Sequence, residues 1–396
     1  MKNLIRLTGS RLKGQRGATA VIVAIVFVLF LGFAALAIDV GYLFATRNEL
    51  QNVADAAALA ATRKLGTIYQ ALSYQEQSTY VCNPSTIIAT AKAVASKNWA
   101  GGTENVTIND ADVIIGCWDG NSVTPTLSQP DAVRVIARKD GSANGPITTF
   151  FAGILGIDSV GLWMDATAAL TGQSTTEPGE LELPIGISSY FYLPGNFCND
   201  FIKFSPTNDP DSCSGWSAYT ENPNDATVRK ILDGLITSPA TQTWEPPTIF
   251  NFIGGELSSP TFETFLTLFQ NKGCDVDASG NYILDGGGNP MVDATGTGLE
   301  VPLLDSEGNQ LLYPDGTPRN KHVWETGVVV YEWTDCGNPN ASIPIAGYST
   351  VLITDVLGPP DKMVRGKILC DQFSEYDTRG GGGEFGTKGS IPGLVE

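Results

Sequence analysis

Hydrophobic and polar positions divide the chain into stretches of different period. An apolar run from Ala18 to Ile38 carries no charge, and at about 1.5 Å of rise per helical residue some 20 residues cross the hydrocarbon of a bilayer. The helical pattern continues past the run. Leu43, Leu50, Val53, Ala57 and Ala61 recur at spacings of three, four and seven, with no Pro from Val40 to Leu65. One helix over 18–65 is therefore predicted, crossing a membrane and projecting from it. Pro84 to Trp99 reads as a second helix with Ile87, Ile88, Ala91, Val94, Ala95 and Trp99 on one side. Asp112–Trp118 and Ala132–Arg138 read as strands, Ile147–Leu155 as a short helix, and Val160–Leu170 as a strand whose alternate positions are apolar. This order predicts an α+β unit over 66–171 with its sheet packed on helices.

Gly172–Gly179 is small, polar and contains Pro, the composition of a linker. Beyond it, Leu181–Ile187 is a strand candidate and Asn224–Leu235 a helix. Ser259-Pro260 opens a further helix with Phe262, Phe265, Leu266 and Phe269 as its apolar stripe and Gly273 as its end. Val328–Trp333, Ser349–Val356 and Met363–Cys370 read as strands. Residues 180–377 thus form a mainly β distal domain with a few helices, and 378–396 a glycine-rich tail expected to be loose.

Charge orients the chain. Lys2, Arg6, Arg11, Lys13 and Arg16 precede the apolar run with no acid among them, so the positive-inside rule makes 1–17 a basic cytoplasmic segment and puts the remainder on the other side. The net charge is −18 despite those five basic residues. So acidic an exterior is a poor match for nucleic acid or anionic lipid headgroups, so no nucleic-acid partner is expected, and it suits divalent cations or basic partners instead. The seven cysteines, at 82, 117, 198, 213, 274, 336 and 370, include no CxxC pair, and the chain has one His. That pattern excludes zinc-site spacing and points to disulfides in an exported protein. Cys82 with Cys117, and Cys198 with Cys213, are the pairings expected because each pair lies within one domain.

Ala35-Leu36-Ala37 has the small-x-small form of a signal-peptidase site, but the apolar run is longer than a signal's and the helix runs on without a break. A retained anchor is the reading this favours. The segment Arg16-Gly17-Ala18, the apolar run, Gly32-Phe33-Ala34-Ala35-Leu36-Ala37-Ile38-Asp39-Val40-Gly41, Glu49-Leu50-Gln51-Asn52 and Ala54-Asp55-Ala56-Ala57-Ala58-Leu59-Ala60 closely resembles the N-terminal anchor of TadE/TadG-like proteins of Tad (tight adherence) pilus assembly. Arg134 through Phe150-Phe151-Ala152 to Thr167 resembles the same family more weakly. Processed pseudopilins of the group carry a Glu near the start of the apolar run, where Ile22 stands here. The resemblance thus implies the TadG-like branch, an uncut anchor and a pilin-like α+β domain after it. It also implies a bacterial inner-membrane, single-pass protein with its bulk in the periplasm. Its expected partners are the bilayer, other pilus-assembly or pseudopilin subunits, and a second copy of itself. Gly32, Gly41, Ala54, Ala57, Ala58 and Ala61 are the small residues expected to pack against partner helices.

Candidate chemistry is sparse. Between 274 and 322 the chain repeats Asp and Gly at turn-like intervals, which hairpin turns explain by themselves. Asp275, Asp277, Ser279, Asn281 and Asp285 also offer oxygens at the spacing of a calcium loop, although Gly286 stands where a bidentate Glu belongs. Calcium is the one cofactor the sequence raises. No GxSxG, Walker A or HExxH string is present, His322 lies among strand residues, and Glu180 with Glu182 form an ordinary i, i+2 carboxylate pair. The DxSxS string of a von Willebrand type A metal site, carried by some TadG-like proteins, is missing too. Phe191, Tyr192, Phe197, Phe201 and Phe204 read as core or as a carbohydrate platform. Two functions follow as expectations: a non-enzymatic envelope protein of Tad pilus assembly or display, and alternatively a surface adhesin or filament subunit whose distal domain binds calcium or glycan.

Overall fold

The computed structural model describes residues 15–72, 74–193, 201–204, 213–275, 322–333, 336, 338–360 and 362–395. Helix α1 (Gln15–Gln70) is continuous. The large apolar side chains from Val21 to Phe33 are all exposed, the arrangement that a lipid-facing surface needs. Among the described residues it is the one helix long and apolar enough to cross a membrane. It does not stop before Gly66. A Cβ there would stand 2.1 Å from the Ser390 carbonyl oxygen, so this glycine permits close backbone approach and is not a cap.

After α2 (Tyr74–Ser78) comes α3 (Pro84–Ala95). Asn83 accepts from the Ser85 N–H ahead of Pro84 in the first turn, the usual N-terminal pairing of an acceptor cap with Pro. Strands β1 (Trp99–Ala100) and β2 (Thr103–Glu104) pair, as do β6 (Ile147–Thr148) and β7 (Ser159–Val160). Strands β3 (Val113–Trp118), β4 (Val123–Pro125), β5 (Ala132–Lys139) and β8 (Leu162–Ala169) form a sheet of order β8-β5-β3-β4. Val133, Val135 and Ala137 are buried along β5, the two-residue period that the sequence predicts. The helix expected over Ile147–Leu155 is instead the β6–β7 hairpin, with a 3₁₀ turn at Ala152–Leu155 in its tip.

Two compact units result, one comprising Met1–Ala57, Ile88–Val113 and Arg134–Ala166, the other Ala58–Ile87, Ile114–Val133 and Thr167–Glu396. The first is tied by ion pairs, Arg134 to Asp165 at 2.6 Å and Arg138 to Asp112 at 2.6 Å. Lys139 Nζ donates to Thr103 Oγ1 at 2.6 Å.

The second unit contains β9 (Ile185–Ser188), β10 (Phe201–Phe204), β11 (Ser214–Ser217), α4 (Asp225–Thr237), β12 (Ile249–Ile253), α5 (Ser259–Lys272) and β13 (Cys274–Asp275). It continues with β14 (His322–Tyr331), β15 (Ser342–Leu357), β16 (Met363–Leu369), β17 (Gln372–Phe373), β18 (Thr387–Lys388) and β19 (Gly393–Leu394). Strands β15, β12, β11, β9 and β14 pair in turn, and β14 pairs with β15 again, closing a barrel. Length makes closure feasible: β15 meets β12 with Ser342–Pro344, β14 with Ile345–Ile353 and β16 with Thr350–Leu357. Val328 and Val330 pack with α4 and α5 residues such as Leu232, Phe262 and Phe265. The alternate Val329 and Tyr331 join Phe250, Phe252, Ile343 and Ile345. Helices pack on the outside of a barrel, so the second set fills its inside. A Cβ on Gly186 would stand 2.5 Å from the Phe252 ring, so this strand carries glycine where the ring of the neighbouring core side chain approaches its backbone.

The cap of α5 is Ser258, one residue earlier than the sequence predicts, and Asn224 caps α4. Asp225 accepts from the Ser258 N–H, Ser258 Oγ and Thr261 Oγ1, joining the two helix starts. The glycine-rich tail is not loose. Gly382 N–H donates to the Gly172 carbonyl at 2.7 Å and Gly389 N–H to that of Thr171 at 2.9 Å. A Cβ on Gly382 would be 2.0 Å from the Gln173 carbonyl oxygen. These glycines let backbones touch. Residues 172–179, composed like a linker, are bonded in the same way, with Gln173 N–H to Thr387 and Thr176 N–H to Trp244.

Candidate functional site

Asp39 is the first residue past the uncharged apolar run, and it is only 3% exposed. Its carboxylate accepts three backbone N–H bonds from the hairpin tip: Oδ1 from Phe150 at 2.8 Å, Oδ2 from Phe151 at 2.9 Å and from Ala152 at 2.6 Å. The 3₁₀ turn that begins at Ala152 has no cap of its own, because Phe151 offers no side-chain acceptor. Asp39 serves as that cap from another part of the chain, and the three donors compensate the burial of its charge. Tyr42, one turn further along α1, meets the Phe150 ring edge-on at 5.9 Å. The far side of the tip is held by its own bonds, Thr149 N–H to Asp158 and Ile157 N–H to Ala152, and Gly156 supplies the left-handed residue with φ 83°.

A second acid higher on α1 works alike. Glu49 Oε2 accepts from the Gly101 N–H at 2.7 Å, in the turn between β1 and β2. A Cβ on Gly101 would crowd Lys139 and Thr46. Gln51 Nε2 donates to the Asp165 carbonyl at 3.1 Å and to Asp55 at 2.7 Å. The polar residues set into the apolar helix are thus its attachment points.

This chemistry holds segments of the chain together. Residues 17–64 match a family model described as Flp pilus-assembly TadE/G-like, and residues 45–168 match one described as Tad-like Flp pilus-assembly. The chain carries a TadE/G-like Tad pilus-assembly domain. Asp39, Glu49, Gln51 and the hairpin all lie within the matched span, so the attachment points belong to the Tad domain itself. The chain is a membrane-anchored protein related to the Tad machinery, and among the described residues one helix, near the N-terminus, is long and apolar enough to cross a membrane. No curated protein and no solved structure matches the chain.

The small residues expected to face partner helices divide into two groups. Ala54, Ala57, Ala58 and Ala61 are fully buried within this chain and are not on offer to a partner, because the chain's own residues cover the apolar face of the projecting helix. Gly32 and Gly41 have nothing within 4 Å and stay open. Cysteine pairing also differs. Cys213 bonds to Cys336 across 123 residues, not to Cys198. The reason is topological: β11, which follows Cys213, and β14, which precedes Cys336, both flank β9. Cys370 is also disulfide-bonded, whereas Cys82 and Cys117 are free. Cys198 lies outside the described residues.

Asp275 belongs to β13 and pairs in register with His322, while Asp277, Ser279, Asn281 and Asp285 lie outside the described residues. Among the described residues no group of three His, Cys, Asp or Glu could hold a metal. Trp216 is buried with its ring 5.9 Å from Phe262 and 5.6 Å from Phe265, and Phe191 is buried in the same cluster. These aromatics are core. A cavity of about 620 Å³ opens in the second unit between Trp244, Thr176 and Arg379.

The Asp39 attachment was missed although both ends were in view. An acid directly after an uncharged span needs a partner, and Phe150 to Ile157 is apolar yet interrupted by Gly153 and Gly156. Those two signals together point to the clamp.

Proposed function

We propose that the chain is a TadG-like inner-membrane component of Tad pilus assembly or display, acting through protein contacts with its N-terminus in the cytoplasm. The observation that carries this reading is the use made of the Tad domain's polar residues. Asp39 and Glu49 bind backbone amides of the chain's own hairpins, so the helix is committed to carrying folded units on a membrane anchor. Ile22 in place of the Glu of processed pseudopilins supports retention of that anchor. The basic residues from Lys2 to Arg16 support the orientation. Open Gly32 and Gly41 leave a surface in the bilayer against which a partner helix packs closely.

Protease treatment of spheroplasts of a producing bacterium tests both place and role. The full chain is expected in the inner-membrane fraction, with its C-terminal bulk cleaved only after the outer membrane is opened, and crosslinked to other Tad components. Recovery of the full-length chain in sheared surface fibres would overturn the anchored reading.

A further inference from the structure

The tip of the β6–β7 hairpin exposes Phe150 at 68%, Ile154 at 84% and Leu155 at 76%, with Phe151 and Ile157 exposed beside them. From Gly141 to Gly161 the one charged residue is Asp158. So dense an apolar patch on a loop is costly in water and marks a contact. Its position says with what. Twenty helical residues from Thr19 to Ile38 rise about 30 Å, the thickness of the hydrocarbon, and the headgroup zone adds roughly 5–7 Å on each side. Asp39 is the next residue, and it holds the amides of Phe150, Phe151 and Ala152 at 2.6–2.9 Å. The tip is therefore fixed at the level of the bilayer's edge. On other faces of α1 at neighbouring depths, Phe33, Leu36, Val40 and Phe44 are exposed as well, so apolar side chains of the helix and of the hairpin reach the same level. Tyr42, packed on Phe150, is of the type that favours the interface.

We propose that residues 150–157 form a second membrane contact, seating Phe150, Ile154 and Leu155 in the headgroup and upper acyl region beside α1. Asp39 is the lock that sets the depth of this contact. The hairpin and the helix then grip one leaflet at two points, which fixes the tilt and rotation of the first unit over the membrane as interfacial anchors do.

The test uses the full chain in liposomes of phosphatidylethanolamine and phosphatidylglycerol doped with a phosphatidylcholine carrying an acyl-chain diazirine. After illumination, lipid adducts are mapped on peptides. Adducts are expected within 19–38 and also within 147–160. Adducts within 19–38 and none within 147–160 would overturn the proposal while leaving the anchor intact. Ile154→Asn with Leu155→Asn changes only exposed side chains and is expected to abolish the hairpin adducts without loss of those on the helix. Persistence of hairpin labelling in that variant would count against the assigned side chains. With p-benzoylphenylalanine in place of Ile154, the adduct is expected to have the mass of one chain plus lipid. A chain-to-chain adduct instead would assign the patch to a protein partner and overturn the lipid contact.

Discussion

Burial surrounds Glu180 with donors that only partly replace water. Its Oε1 accepts from Gln173 Nε2 at 2.7 Å and Ser374 Oγ at 2.9 Å, and its Oε2 from the Glu177 N–H at 3.0 Å. Desolvation outweighs these bonds and pushes the carboxyl from 4.5 up to about 7. Between those two values the folded chain binds the proton more tightly than the unfolded one. Stability therefore falls as pH rises from 4.5 towards 7, and levels off above it. The effect has a ceiling of about 3 kcal/mol. Burial raises Glu375 as well, so part of the slope belongs to that residue. Glu180→Gln keeps the shape and removes the proton equilibrium. Urea unfolding of the variant between about pH 5 and pH 8 is expected to show a shallower fall than the parent. An unchanged slope would mean that Glu180 is solvated in solution. Nothing in the i, i+2 spacing distinguishes Glu180 from Glu182, yet Glu182 pairs with Lys272 at 2.7 Å while Glu180 is enclosed. Burial is a property of the fold that two neighbouring carboxylates do not announce.

At the scale of elements, the hairpin depends on a helix more than a hundred residues earlier. Asp39→Ala removes the acceptor of three amides at once and leaves the 3₁₀ turn without a cap. Loss of a cap acceptor frees these amides, so local opening of residues 150–152 is expected to rise roughly five- to thirtyfold. Hydrogen exchange of the full chain in detergent reads this directly as lost protection on peptides covering 147–160. Protection equal to the parent's would show that the tip's own bonds suffice. The elements legible in the sequence are those whose apolar residues recur at the element's own period. Helices α3, α4 and α5 and strands β3, β5 and β8 repeat their apolar positions with the right period, and the structure keeps them within a few residues. Strands β11 and β12 escaped the same reading. The first, Ser-Gly-Trp-Ser, is buried at all four positions and has no alternation to detect. Barrel closure was illegible for another reason: Gly186 pairs with Val329 and Ile187 with Val330, and no local pattern encodes a pairing across so many residues. The same holds for Cys213 and Cys336.

In the molecule as a whole, the last segment fastens the second unit. Strand β18 pairs in parallel with β17, placing Lys388 opposite Phe373, and β19 pairs with the end of β8 at Ala168 and Ala169. Lys388 forms an ion pair with Asp131, and both side chains are largely enclosed. Arg63 on α1 donates to the Ser390 carbonyl at 2.9 Å, the group against which Gly66 lies. A chain stopped after Gly386 loses both strand pairings and takes the Lys388 cation from the buried Asp131 carboxylate, whose other oxygen keeps the Trp118 N–H. Such a loss alone costs about 3–5 kcal/mol, a large part of the stability of an ordinary domain. The truncated chain is expected to melt well below the parent in circular dichroism, and to yield cleavage in the second unit at protease levels that spare the parent. Lys388→Met separates the two causes. It keeps the strands but removes the ammonium both from Asp131 and from over the Phe373 ring, 5.8 Å from its centroid, so its melting temperature is expected between those of the parent and the truncation. If the truncation melts like the parent, the glycine-rich segment merely lies on a unit that folds without it. If Lys388→Met matches the truncation, the ion pair carries the fastening and the strand pairings add nothing measurable.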